Sequence, residues 1–201
     1  MFGSRFAKRM ATRYRKRGLD KTAGAIVELL VERGVQGATV LEIGGGVGEI
    51  QLELLKRGAA SSTNLELSPG YEPEAAALID EAGFTGRVQR RRLDIATDPG
   101  AVQPADIVVL HRVVCCYPDY ATLLGAAADH ARRQLVFSHP PRNPVSRAVV
   151  ASENLLSRLA GRDFRTFAHP PEAMLAVLAE HGLHLRATHR SRVWQVAAVS
   201  R

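Results

Sequence analysis

The segment Val40-Leu41-Glu42-Ile43-Gly44-Gly45-Gly46-Val47-Gly48 constrains the fold of this chain more than any other. Ala38–Ile43 is a short apolar run that reads as a buried strand. Glycines at 44, 46 and 48 form a turn, because glycine accepts positive φ and lets backbone come close to a ligand. Val47–Arg57 then reads as a helix, closed by Gly58. A helix that begins at such a turn presents unpaired N–H groups to a polar or anionic ligand.

The residues narrow the ligand. A phosphate loop ends in Gly-Lys-Ser/Thr, and Val47-Gly48-Glu49 does not supply it. A dinucleotide fingerprint needs glycine where Glu49 stands, and Glu49 would set a carboxylate beside a pyrophosphate. The spacing is G-x-G-x-G with Glu42 two residues ahead, and a carboxylate there suits an ammonium or sulfonium ligand. Glu66 ends the next strand, where a carboxylate can accept both ribose hydroxyls. Asp94 follows the third strand and can take the exocyclic amine of an adenine.

Strand and helix patterns alternate through the chain. Strands are expected at Ser62–Leu67, Arg87–Leu93, Asp106–His111 and Gln134–Ser138. Ser68-Pro69 suits a helix start, with serine as cap and proline first, and that helix runs to Ala82. Tyr120–Ala131 is a further helix. This alternation implies a parallel sheet covered on both faces. Helices near Val145–Ala160 and Pro171–Glu180 precede two runs, Leu183–Ser191 and Val193–Ser200, which suggest an antiparallel hairpin at the sheet edge. The fold expected is α/β, a Rossmann-like doubly wound sheet, mostly parallel with an antiparallel final strand and preceded by N-terminal helices. Arg87, Arg90, Arg91 and Arg92 read as a solvated or ion-paired face.

Charge separates the ends. The chain of 201 residues carries a net charge of +7, and residues 1–18 hold seven basic side chains and no acidic one. The remaining residues balance at 20 basic and 20 acidic. That argues against a surface built to wrap nucleic acid. Phe2, Phe6, Met10 and Tyr14 recur every four residues, so the arm reads as a basic amphipathic helix over 1–18, with a single domain over 19–201. Its stripe is either core packing or the inner face of a lid over the site. Adjacent Cys115 and Cys116 imply no disulfide framework and no zinc site, and no metal is expected. A cytoplasmic protein is the simplest expectation.

The ordered set Glu42–Gly48, Glu66-Leu67-Ser68-Pro69, Leu93-Asp94-Ile95 and Ala105–Arg112 resembles the class I S-adenosylmethionine-dependent methyltransferases. The resemblance covers roughly residues 19–200. Arg112–Asp119 is similar to a stretch of small bacterial methyltransferases, and a fainter likeness is to the magnesium-protoporphyrin methyltransferases. The resemblance implies S-adenosylmethionine as cofactor, S-adenosylhomocysteine as product, and O- or N-methylation of a small organic acceptor. It implies Glu42, Gly44, Gly45, Gly46 and Gly48 around the methionine part, and Glu66 and Leu67 at the ribose. Asp94 and Ile95 would sit at the adenine, with His111 beside the methyl. His111 and His139 are candidate bases, since an imidazole ordinarily titrates near 6.5. Arg112, Tyr117, Tyr120 and Tyr14 are candidates for the acceptor pocket, together with the segment 140–169. An RNA methyltransferase gripping phosphates with the basic arm, and a non-catalytic module binding a partner or membrane surface, are the competing readings.

Overall fold

The computed structural model describes residues 3–159, 165–191 and 193–201, apart from the side chains at 145, 147 and 153. Phe2 of the stripe, Ala160 at the expected helix end and the Arg192 break lie outside the described residues.

Helix α1 (Ser4–Arg17) and helix α2 (Lys21–Glu32) precede the sheet. Asp20 starts α2 by accepting from Thr22 N and Ala23 N at 2.9 Å each, the usual N-cap arrangement. Then come β1 (Thr39–Ile43), α3 (Glu49–Lys56), β2 (Ser61–Leu65), α4 (Glu72–Glu81), β3 (Val88–Arg91) and β4 (Ala105–Leu110). They are followed by α5 (Tyr120–Asp129), β5 (Ala131–His139), α6 (Pro144–Leu159), α7 (Pro171–Glu180), β6 (His184–Arg190) and β7 (Gln195–Ser200).

The seven strands lie in the order β3-β2-β1-β4-β5-β7-β6. The first five are parallel, and β7 runs antiparallel between β5 and β6. Strand order reverses between β1 and β4, so a crevice opens at their carboxyl ends. Alternation along each strand divides the core. Val40, Ile107, Val109 and Val136 face α2 and α3, packing on Ile26, Leu30, Ile50 and Leu54. Leu41, Ile43, Val108, Leu110 and Phe137 face the other way, onto Leu123, Leu124, Met174 and Leu178.

Two local expectations change. Ser68-Pro69 opens a 3-10 turn over Pro69–Tyr71 rather than the long helix, and Ser68 makes no side-chain cap. The α-helix starts at Glu72, with Pro73 in its first turn. The helix after the glycines starts at Glu49, because Gly48 stands in the left-handed region at φ 83°. Of the two readings of the arginines around β3, the ion-paired one holds for Arg90, and Arg87 and Arg91 bind backbone carbonyls instead. Arg87 donates to the carbonyls of Ala59 and Ala60, and Arg91 to that of Ala101. Arg90 binds Glu72 at 2.9 Å and the carbonyl of Gly46 at 3.0 Å. The guanidinium thus braces the glycine turn from below.

Helix α1 is docked. Ala7, Ala11 and Tyr14 are buried with Val47, Leu52, Tyr71 and Ile79. Arg13 meets Glu49 at 3.0 Å, and Arg15 meets Glu81 at 2.6 Å and Glu74 at 3.5 Å. These arginines pair with carboxylates of the body, Arg13 with a buried one and Arg15 with exposed ones. No helix among the described residues is long and apolar enough to cross a membrane.

Candidate active site

The carboxyl ends of β1, β2 and β4 surround a cavity of about 390 Å³. Its floor is the glycine turn, where Gly44 and Gly46 take φ of 65° and 57°. A methyl group on Gly45 would overlap Asn64 and the carboxylate of Glu42, and one on Gly44 would overlap Val113. The turn is therefore packed from behind and open in front, as a cradle for a ligand must be.

Four carboxylates stand at this floor. Glu42 is 2% exposed. Its Oε2 accepts from Gln51 N and Asn64 Nδ2, both at 3.3 Å. Burial pushes its carboxyl up to about 8, against the opposing pull of the Gln51 N–H. Glu66 ties β2 to the turn, accepting from Gly46 N at 2.9 Å and Ser68 N at 2.8 Å. Each of its oxygens keeps a further lone pair for a ligand hydroxyl. Asp94 accepts from Ala96 N at 3.1 Å and from the Tyr117 hydroxyl at 3.0 Å. Glu49, in the first turn of α3, is 5% exposed and raised by burial, which Arg13 opposes. A pyrophosphate here would meet Glu42, Glu49 and Glu66 together, so the exclusion of a dinucleotide gains structural support.

His111 and Arg112 form the wall after β4. His111 Nδ1 lies 3.0 Å from Ser138 Oγ, while its Nε2 is buried without a partner. Burial, and then the charge of Arg112, press the imidazole down to about 4. The expectation of a base near its ordinary value is thereby corrected: the ring is neutral and weakly basic. Arg112 holds φ 59°, the one positive value at a non-glycine among the described residues. Its Nη2 meets Asp20 at 2.7 Å, and its guanidinium lies 5.1 Å from the Trp194 ring centroid.

Leu67, Ile95 and Tyr117 also line this cavity. Burial and the bond to Asp94 push the Tyr117 hydroxyl up to about 12. Gly48 stands behind the wall and shapes the turn. His139 is elsewhere. Alternation along β5 sends Ser138 toward His111 and His139 to the opposite face, where it borders a second cavity of about 450 Å³. Its Nδ1 meets the Pro140 carbonyl at 3.0 Å. Tyr120 packs on the His169 ring at 4.6 Å, outside the first cavity. Tyr14 is core, with its hydroxyl donating to Glu53 at 2.7 Å, so it is withdrawn from the acceptor pocket.

The stripe of α1 splits at this point: Phe6 and Met10 line the cavity. The described residues of 140–169 do not border it, but two of them brace its wall. Phe167 N donates to the Cys115 carbonyl at 2.6 Å, and His169 Nε2 meets the Tyr117 carbonyl at 2.9 Å. Sequence reasoning missed Tyr71, Val113 and Cys116 on the wall. It also missed Asp20 and Ser138 behind it. The Asp20–Arg112 and Ser138–His111 pairs span 92 and 27 residues, so no local pattern announces them.

No protein-family model matches the chain, and no curated protein matches it in sequence. Solved structures match it in shape. Magnesium protoporphyrin IX methyltransferase from Synechocystis PCC 6803, with bound S-adenosylhomocysteine, superposes with a TM-score of 0.73 at 21% identity. That match covers 90% of this chain and 82% of the other. An O-methyltransferase family protein from Burkholderia thailandensis gives 0.75 at 19% identity, over 98% and 58% of the two chains. An O-methyltransferase family 2 protein from Planctomyces limnophilus, in complex with apigenin, gives 0.66 at 17%, over 92% and 62%. At these identities the likeness is one of shape, and it establishes that this chain has the fold of the S-adenosylmethionine-dependent methyltransferases.

Proposed function

We propose that the protein transfers a methyl group from S-adenosylmethionine to a small organic acceptor, releasing S-adenosylhomocysteine. One observation carries this reading: a glycine cradle and the carboxylates Glu42, Glu66 and Asp94 meet at a single cavity at the switch point of the sheet. The donor set fits a ligand with a cationic centre, a ribose and an adenine. It does not fit a phosphate.

In this reading Gly44, Gly45 and Gly46 hold the methionine part. Glu42 stands behind them, kept protonated near neutral pH by its burial, and the approach of the ammonium would draw it toward ionisation. Glu66 accepts the ribose hydroxyls with the lone pairs that the backbone N–H groups leave open. Asp94 takes the adenine amine, and Leu67 and Ile95 give apolar surface to the base. When bound, the cofactor supplies an electrophilic methyl on a sulfonium, so the protein has mainly to align the acceptor and exclude water. Phe6 and Met10 cover the cavity and serve the second task.

Glu66→Ala tests the assignment. Calorimetry with S-adenosylhomocysteine should show affinity at least tenfold weaker, about 1.4 kcal/mol. Unchanged affinity would remove Glu66 from the site. The truncated substrate methylthioadenosine, which lacks the amino-acid part, should respond to Glu66→Ala in the same proportion.

A further inference from the structure

We propose that the second cavity, between α7 and the strands β5, β7 and β6, binds a small zwitterion, with its ammonium at Glu172 and its acid group at Arg190 and Arg142. The inference does not rest on methyl transfer, because the two cavities share no lining residue.

The sheet lays out one wall of this cavity. His139 pairs with Gln195 across β5 and β7, and Gln195 pairs with Arg190 across β7 and β6. Residues in register on neighbouring strands share a face, and all three line the cavity. Strands lie about 4.8 Å apart, so this row sets His139 and Arg190 roughly 10 Å from each other at the backbone. Two residues along, Ala197 and Thr188 are paired on the same face. Their short side chains leave the hollow of about 450 Å³. Helix α7 closes the other side with Glu172 and Leu175, and Leu185 of β6 adds apolar surface.

The charges on the lining are opposite and held apart. Among the described residues neither Arg142 nor Arg190 meets a carboxylate, and Glu172 meets no basic group, although all three line one cavity. Glu172 stands at the His139 end: of these charged groups it acts on the imidazole, and the two arginines do not. The ring adds no competing cation there. His139 is 5% exposed, and burial presses its basicity below the ordinary value, so the ring is neutral at pH 7. Its Nδ1 lies 3.0 Å from the Pro140 carbonyl, which can only accept, so Nδ1 carries the hydrogen and Nε2 keeps a lone pair. Among the described residues nothing donates to that lone pair. One end therefore offers acceptors, and the arginines offer planar forks that match an acid group. A plain anion would face Glu172, and a plain cation would face two guanidinium groups. A molecule with both charges satisfies both sets, with its hydrocarbon on Leu175 and Leu185. The Gln195 amide, between the ends, can bond to either group.

The test titrates the full chain calorimetrically with three zwitterions, glycine, β-alanine and 5-aminopentanoate. Pentanoate and pentylamine, which carry one charge each, serve as the matched probes. At least one zwitterion should bind saturably, and the tightest should bind at least tenfold more tightly than pentanoate or pentylamine. No saturation by any of the three at tens of millimolar would overturn the proposal. Equal binding of pentanoate would reduce the site to an anion site and overturn it too. Glu172→Gln and Arg190→Gln each remove one charge and should each weaken the tightest zwitterion at least tenfold. Glu172→Gln should leave pentanoate bound no more weakly than before. Zwitterion binding unchanged in either variant would contradict the assignment of that residue's charge. S-adenosylhomocysteine, titrated in parallel, should bind both variants as it binds the unaltered chain. A tenfold loss of that ligand in the same variants would make the two cavities one site and overturn the proposal. If S-adenosylhomocysteine does not bind the unaltered chain, the methyl-transfer reading fails, and the zwitterion titrations still decide this one.

Discussion

Glu42 shows what a residue's place in a pattern leaves unsaid. Its position two residues before the glycines marks it as a site carboxylate. Its burial behind Gly45, against Asn64 and Gln51, is a tertiary fact. That burial has a pH consequence with a definite sign. The folded value of about 8 lies above the ordinary 4.5, so the group's contribution to stability is full below about pH 4.5 and is lost as pH rises through 8. His111 acts oppositely. Its folded value of about 4 lies below 6.5, so its contribution is present above pH 6.5 and lost as pH falls through 4. Glu42→Gln removes only the alkaline loss. The melting temperature of the variant should match the unaltered protein at pH 5 and exceed it by several degrees at pH 9. A difference that does not change with pH would contradict the burial argument. Glu66 and Asp94 were legible because each comes soon after an apolar strand pattern, although the groups that hold them, Gly46 N and the Tyr117 hydroxyl, lie 20 and 23 residues away. Ser138 and Asp20 were not, because each acts through a residue far along the chain.

At the scale of the element, α1 carries the sharpest revision. The period of four and the basic flanks identify a helix, but one stripe serves two purposes. Tyr14, 8% exposed, packs into the core with Leu52 and Ile79, whereas Phe6, 41% exposed, stands at the cavity mouth. Periodicity describes a face, and the length of chain between helix and sheet decides which part of that face meets the core. Tyr14→Ala should therefore lower unfolding stability by about 3 kcal/mol, the scale of losing a buried aromatic ring, in urea titrations. Phe6→Ala should cost under about 1 kcal/mol, as a half-exposed contact, and weaken S-adenosylhomocysteine binding instead. Removal of residues 2–17 should lower the melting temperature markedly, because it strips Ala7, Ala11 and Tyr14 from a core cluster. A truncated chain of unchanged melting temperature and reduced turnover would restore the simple lid.

Across the whole molecule, the alternation of strands and helices made the doubly wound sheet legible, and the closing pair of apolar runs made the antiparallel edge legible. The switch point followed, since the glycine segment, Glu66 and His111 end three strands that the topology sets side by side. The charge asymmetry was legible too, but not its use. Arg13 and Arg15 are engaged with Glu49, Glu74 and Glu81, while Arg5, Lys8, Arg9, Lys16 and Arg17 remain exposed. The ion pairs fasten the arm to the domain, and they tie one of its arginines to the cavity wall through Glu49. Calorimetric titration of the full chain with S-adenosylhomocysteine reads directly whether that cavity holds the cofactor. Saturable one-to-one binding in the micromolar range or tighter is expected, weakened at least tenfold by Glu66→Ala. Absence of binding at millimolar ligand would contradict it.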